Sequence, residues 1–171
     1  MEEKTSTARV ALKYGLLVAV VTMVYSTILY VAGLGSNRML ASLSYVFMIV
    51  AIVLAMKEFR EKNGGFISYG EGLGLGSLTS AVLGLLSSAF TIFYIQFIDS
   101  NMLTQSLDQM REELEGKGMD DAQIEQALEV SQKFMSPGIM FVTVIFGYLI
   151  MGFIFSLIIA AIMRKEKPVF E

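Results

Sequence analysis

Cysteine and histidine are both absent from the 171-residue chain, and each absence removes a class of chemistry. Without cysteine there is no disulfide framework, no thiolate metal site and no thiol nucleophile. Without histidine, the Ser-His and Cys-His forms of nucleophilic catalysis are excluded, as are imidazole metal ligands and histidine pH switches. We therefore expect a protein that is not an enzyme and that binds no metal and no cofactor.

Charged residues are missing from four long stretches of the sequence. Those stretches are 14–37, 39–56, 72–98 and 134–163. About 20 apolar residues cross a hydrocarbon core roughly 30 Å thick, so each stretch is long enough to cross once. Hydrophobic residues make up 54% of the chain and its mean hydropathy is +0.61, which is too apolar for an ordinary soluble domain. The sequence therefore predicts an all-α integral membrane protein with four transmembrane helices.

The charge-free stretches also predict the domain organisation. We expect spans near 13–34, 39–56, 70–98 and 137–163, in a single membrane domain that covers 1–171. The polar segment 99–133 lies between the third and fourth spans, where we expect an amphipathic helical hairpin.

Positive charges flank the predicted spans unequally. Nine Lys and Arg residues lie in 1–13, 57–71 and 164–171, whereas the opposite side holds Arg38 and three in 99–133. Since Lys and Arg are enriched in cytoplasmic loops, both termini are predicted to be cytoplasmic and the hairpin to lie outside. The even number of spans agrees with this orientation.

Small residues recur every four positions along the third span and, more weakly, along the fourth. They are Gly72, Gly76, Ser80, Gly84 and Ser88, then Gly152, Ser156 and Ala160. A step of four residues advances about 400°, so each series forms one slowly drifting stripe on its helix. Small residues let helices approach closely in lipid. Two arrangements stay open: the third and fourth spans pack along these stripes, or the third span packs on its copy in a partner.

The third span begins with a capping signal. Ser68 is followed three residues later by Glu71, so each side chain can bond the backbone amide of the other residue. The carboxylate also suits the positive end of the helix. We interpret this acid as a helix cap, with a substrate ligand as the alternative.

The segment 99–133 has the pattern of two amphipathic helices. Their apolar face comprises Leu103, Leu107, Met110 and Leu114 on the first helix, and Ile124 and Leu128 on the second. Nine acidic residues against three basic ones give the segment a charge of −6. One interpretation is a hairpin folded on itself and on the bilayer surface. The other is a docking site for a partner outside.

Several motifs follow one another in an informative order. They are the Asn63-Gly-Gly-Phe-Ile-Ser-Tyr-Gly-Glu-Gly72 segment before the third span, Gly118-Met-Asp-Asp before the second outer helix, Ser136-Pro137 at the fourth span, and a Lys167-Pro-Val-Phe-Glu171 tail. In this order they resemble the bacterial membrane proteins of domain-of-unknown-function family 4199. The resemblance implies a four-helix protein of the bacterial inner membrane, with the hairpin in the periplasm. It supplies no activity and no functional residue.

Apart from Lys13 and Glu71 at the span ends, no acidic or basic side chain lies inside a predicted span, which disfavours ion-coupled transport. We therefore expect a non-catalytic accessory or scaffold protein that binds the bilayer and another membrane protein or itself, and no nucleic acid. The alternative is a passive or weakly selective carrier of small or apolar solutes. In that case the long third and fourth spans would border a cavity lined by hydroxyl groups.

Overall fold

The computed structural model describes residues 6–35 and 37–166, and within them the chain forms six α-helices. They are α1 (Thr7–Val31), α2 (Arg38–Lys62), α3 (Tyr69–Phe97), α4 (Met102–Gly116), α5 (Asp121–Phe134) and α6 (Pro137–Met163). Helices α1, α2, α3 and α6 are long and apolar enough to cross a membrane. The predicted all-α membrane fold with four spanning helices is thereby confirmed. The Lys167–Glu171 tail motif lies outside the described residues.

Helices α1 and α2 extend beyond the charge-free stretches from which their spans were predicted. Helix α1 begins at Thr7, because the Ser6 side chain accepts a hydrogen bond from the Arg9 amide and caps the helix there. Helix α2 continues to Lys62, about two turns past the end of its predicted span at residue 56. Lys, Arg and Glu are good helix formers, so the charge-free stretch marks the apolar part of a helix and not its full length.

Three helices end at a glycine in the left-handed conformation. These glycines are Gly33, Gly64 and Gly118, with φ of 69°, 67° and 75°. After each one, an amide donates to the carbonyl five positions back, in the pairs Leu34–Leu29, Gly65–Arg60 and Met119–Leu114. This Schellman arrangement satisfies carbonyls at the helix end and favours glycine, which has no Cβ to strain. As a result α1 ends at Val31, three residues before the predicted end of its span.

The chain divides into two compact units. The first comprises the described residues up to Ser87 and those from Ile145 onwards, and the second comprises Ser88–Val144. The core of the first unit is formed by Val10, Ala11, Ala19, Met48, Ile52, Ala55, Met56, Phe59, Ile67, Leu75, Leu83 and Ala160. Large apolar side chains also point outwards, and Val31, Met39 and Ile162 are more than three-quarters exposed. Helices that are apolar on both faces are suited to a surrounding of lipid.

Candidate functional site

The small-residue stripe of α3 lies against α6 in the first unit. The facing pairs are Gly72 with Ala160, Gly76 with Ser156, Ser80 with Gly152, and Gly84 with Tyr148. Each step of four residues along α3 is matched by a step of four back along α6, as in an antiparallel pair. We call these eight residues the α3–α6 seam. A methyl group placed on Gly72 would lie 3.0 Å from Ala160 Cβ, and one on Gly84 would lie 2.7 Å from Tyr148 Cβ.

The seam accounts for seven of the eight residues in the two predicted stripes. The eighth, Ser88, is buried in the second unit. Of the two arrangements that the sequence left open, the structure has α3 against α6 of the same chain. Sequence analysis missed Tyr148, although it stands one further step of four residues before Gly152. Only small residues were considered in that series, and tyrosine is large.

Helix α1 also approaches α3 at a glycine. A methyl group placed on Gly15 would lie 2.7 Å from Val82 Cβ and 3.1 Å from the Thr79 carbonyl oxygen. Gly15 stands between Ala11 and Ala19 at steps of four residues, and all three are buried. Sequence analysis missed this series, although its spacing is the one that identified the stripe on α3.

Four buried hydroxyl groups in the first unit bond the backbone of their own helices. Thr79 and Ser80 donate to the carbonyls four residues back at 2.8 and 3.0 Å, and Ser156 does the same at 2.6 Å. Thr22 in α1 donates to Val18 at 2.8 Å. Such bonds satisfy a hydroxyl in an apolar surrounding without a partner on another helix. These hydroxyls are therefore not the free polar lining that a solute path would need.

Glu58 joins α1 to α2 at the basic end of both helices. Its carboxylate accepts hydrogen bonds from Lys13 Nζ at 2.5 Å, Tyr14 OH at 2.6 Å and Lys62 Nζ at 2.7 Å. The residue lies beyond the charge-free part of α2. The donors, with Lys13 contributing most, lower the pKa of Glu58 from its usual 4.5 to about 2. The carboxylate is thus ionised and fully engaged, which suits a structural clamp.

Ser68 and Glu71 form a reciprocal cap at the start of α3. Glu71 Oε2 accepts from the Ser68 amide and hydroxyl, both at 2.8 Å, while the Glu71 amide donates to Ser68 Oγ at 3.3 Å. Just before them, Ile67 and Lys165 exchange two backbone hydrogen bonds at 2.9 and 2.8 Å. The acid that could have been a substrate ligand is therefore occupied by the backbone and side chain of its own turn.

The second unit contains the hairpin of α4 and α5, whose apolar faces meet. Ile124 and Leu128 of α5 are buried, and Ser131 Oγ lies 3.3 Å from Met110 Sδ of α4. The other predicted residues of the apolar face, Leu103, Leu107 and Leu114, are half-buried. Asp120 caps α5 by accepting the Gln123 amide at 2.8 Å. The amphipathic faces thus form the contact within the hairpin and leave the remaining faces of both helices outside it.

An open groove runs along one side of α5. It measures about 450 Å³ and is lined by Met119, Gln123, Gln126, Ala127 and Val130. Gln123, Gln126, Ala127 and Val130 have the spacing i, i+3, i+4 and i+7, so they form a second stripe on α5, and Met119 lies just before the helix. The Val130 side chain is 47% exposed. Sequence analysis missed this stripe because it looked for one apolar face on each helix. We call it the α5 groove.

The described parts of the chain contain no group of three Asp or Glu residues that could hold a metal ion. The fold and these surfaces define the class: a multi-pass membrane protein of four spanning helices with a polar helical hairpin.

The particular family follows from comparison with known proteins. The model of the family described as "Protein of unknown function (DUF4199)" matches residues 13–165. The match covers most of the chain, so the protein belongs to this family, and the resemblance seen in its sequence motifs is confirmed. No curated protein and no solved structure matches it.

Proposed function

We propose that this protein is a non-catalytic scaffold that anchors a partner protein to the membrane through the α4–α5 hairpin. The α5 groove carries the proposal, because it is an open, partly apolar surface on the most polar part of the chain. The seam is already used inside the chain, so it does not supply a surface for a second protein. The hairpin is the part of the protein to which we assign recognition of the partner.

The proposal places the protein in the bacterial inner membrane with both termini in the cytoplasm and the hairpin in the periplasm. The unequal distribution of Lys and Arg supports this orientation. The absence of cysteine makes the test simple, since each single substitution creates the one thiol in the chain. In intact cells, a membrane-impermeant maleimide should label Glu115→Cys, whereas Glu166→Cys should react only after the membrane is opened. Labelling in the reverse order would contradict the orientation.

A carrier of small or apolar solutes is the less favoured function. Contacts at four successive points of the seam fill the space that a solute path between α3 and α6 would need in the first unit. The hydroxyl groups of Thr79, Ser80 and Ser156, which could line such a path, bond their own helices. These observations favour the scaffold.

Lysine-reactive cross-linking in native membranes tests the scaffold directly. Lys117 and Lys133 lie on the hairpin and are well exposed, whereas Lys57 and Lys62 lie in the segment predicted to be cytoplasmic. After purification of the full chain, mass spectrometry should find one stoichiometric second protein cross-linked to Lys117 or Lys133. Recovery of the chain alone, of its own oligomer, or of partners joined only at Lys57 or Lys62 would contradict the proposal.

A further inference from the structure

We infer that the α5 groove receives a cationic amphipathic helix of the partner protein. This inference rests on the proposed scaffold function and names the chemistry of the partner. It begins from the shape of the groove: from Gln123 to Val130 the lining residues on α5 span about 10 Å of helix axis, or two turns, and Met119 lies just before the helix. A groove of that length matches a helix that presents apolar anchors at spacings of three, four and seven residues.

The lining of the groove suits such a helix. Met119, Ala127 and Val130 supply apolar surface, and methionine adapts its shape to different partner side chains. Gln123 and Gln126 supply amide groups that can both donate and accept hydrogen bonds at the edge of a contact. The groove therefore fits an occupant with one apolar face and one polar face.

Charge decides which amphipathic helix fits. The segment 99–133 carries a net charge of −6, and Asp120 and Glu129 directly adjoin Met119 and Val130 in the chain. Glu129 is paired with Lys133 at 3.0 Å, but both side chains are about 70% exposed, so the pair is weak and can exchange partners. Complementary charge steers association, whereas like charges oppose it. A basic helix is favoured, and a second copy of this hairpin is disfavoured.

The test uses the full chain in nanodiscs of zwitterionic phosphatidylcholine and three fluorescent synthetic peptides of about 18 residues. The first carries Leu on one helical face and Lys on the other. The second has the same composition in scrambled order, and the third replaces every Lys with Glu. Empty nanodiscs correct for binding to lipid. We expect saturable binding of the first peptide alone, weakened by salt.

Two variants separate recognition by the groove from attraction by charge. Val130→Glu makes the hairpin more acidic but places a charge in the groove, whereas Gln105→Glu makes the same charge change on the exposed surface of α4. Burying an unpaired charge is costly, so Val130→Glu should weaken binding about tenfold or more, and Gln105→Glu should not. Retained helicity and an unchanged elution volume verify that each variant is folded.

Each other result overturns the inference. Equal binding of the scrambled peptide, or tighter binding by Val130→Glu, would show attraction by charge without a groove. Binding of the Glu peptide would show that the groove does not select a cationic helix. Binding of none of the three peptides would show that the groove is not a site for a helix. A dimer of the chain that Val130→Glu dissociates would replace the partner with a second copy. A partner still cross-linked to Lys117 in Val130→Glu would preserve the scaffold function and remove only the groove.

Discussion

Alanine at position 76 tests the close approach of α3 and α6. A methyl group at Gly76 would lie 2.9 Å from Ser156 Cβ on α6 and 3.0 Å from Ile52 Cγ2 on α2. Real Cβ atoms essentially never approach another carbon as closely as the first of these distances, so either α6 or the Ser156 side chain must shift. Overpacking of this kind costs about 1–3 kcal/mol of unfolding free energy.

Gly74 is a matched control two residues away on the same helix. A methyl group placed on Gly74 would have no atom within 4 Å, and the backbone at Gly74 is helical, as it is at Gly76. Replacement of glycine by alanine within a helix stabilises it by up to about 1 kcal/mol. Gly74→Ala should therefore be neutral or stabilising, whereas in Gly76→Ala the same gain is outweighed by the cost of the contact.

The assay is reversible unfolding of the two variants and the unsubstituted protein in the same detergent, followed by helicity. We expect Gly76→Ala to unfold first, with a gap of about 1–3 kcal/mol from Gly74→Ala. Gly76→Leu should lower the unfolding free energy further, and the oligomeric mass should stay unchanged. Equal stability of the two alanine variants, or a change in self-association alone, would refute packing of this stripe within the chain.

Three further predictions concern local contacts. Protonation of Glu58, with its lowered pKa, should remove its stabilising contribution as the pH falls from about 4.5 through about 2; pH-dependent unfolding should therefore be flatter in this window for Glu58→Gln. Gly64→Ala forces alanine to a φ of 67° and should lower the unfolding free energy by about 1–2 kcal/mol, whereas Gly70→Ala, where a methyl group meets no atom, should not. Asp120→Ala removes the cap of α5 and should cost about 1 kcal/mol, seen as faster amide exchange at Gln123; unchanged exchange would contradict this role.

Local features of the fold were predictable because their causes lie within a few residues. The cap at Ser68 and Glu71 and the helix end at Gly118 each depend on atoms within one or two helical turns. The bounds of α3 and α6 lie within one residue of the predicted ones, since turn and capping residues stand next to their charge-free stretches. In α2 the helix continues through charged residues, so the helix predicted from the charge-free stretch was too short.

Contacts between distant residues were beyond a single sequence. The spacing of Gly76 and Ser80 identifies one face of α3, but it does not say which helix covers that face. Glu58 and Glu61 look alike in the sequence, and the approach of Lys13 and Tyr14 on another helix distinguishes Glu58. The α5 groove likewise depends on which side of α5 is covered by α4.

The backbone bridge between Ile67 and Lys165 has a consequence for how the seam finds its alignment. A repeat of four residues on both helices is degenerate, since a slip of one full repeat would again place small residues opposite each other. Gly76 could then face Gly152 or Ala160 instead of Ser156. The bridge joins the residues just outside the Gly72–Ala160 end of the seam and has no such repeat. The bridge therefore helps to fix which repeat of α3 faces which repeat of α6.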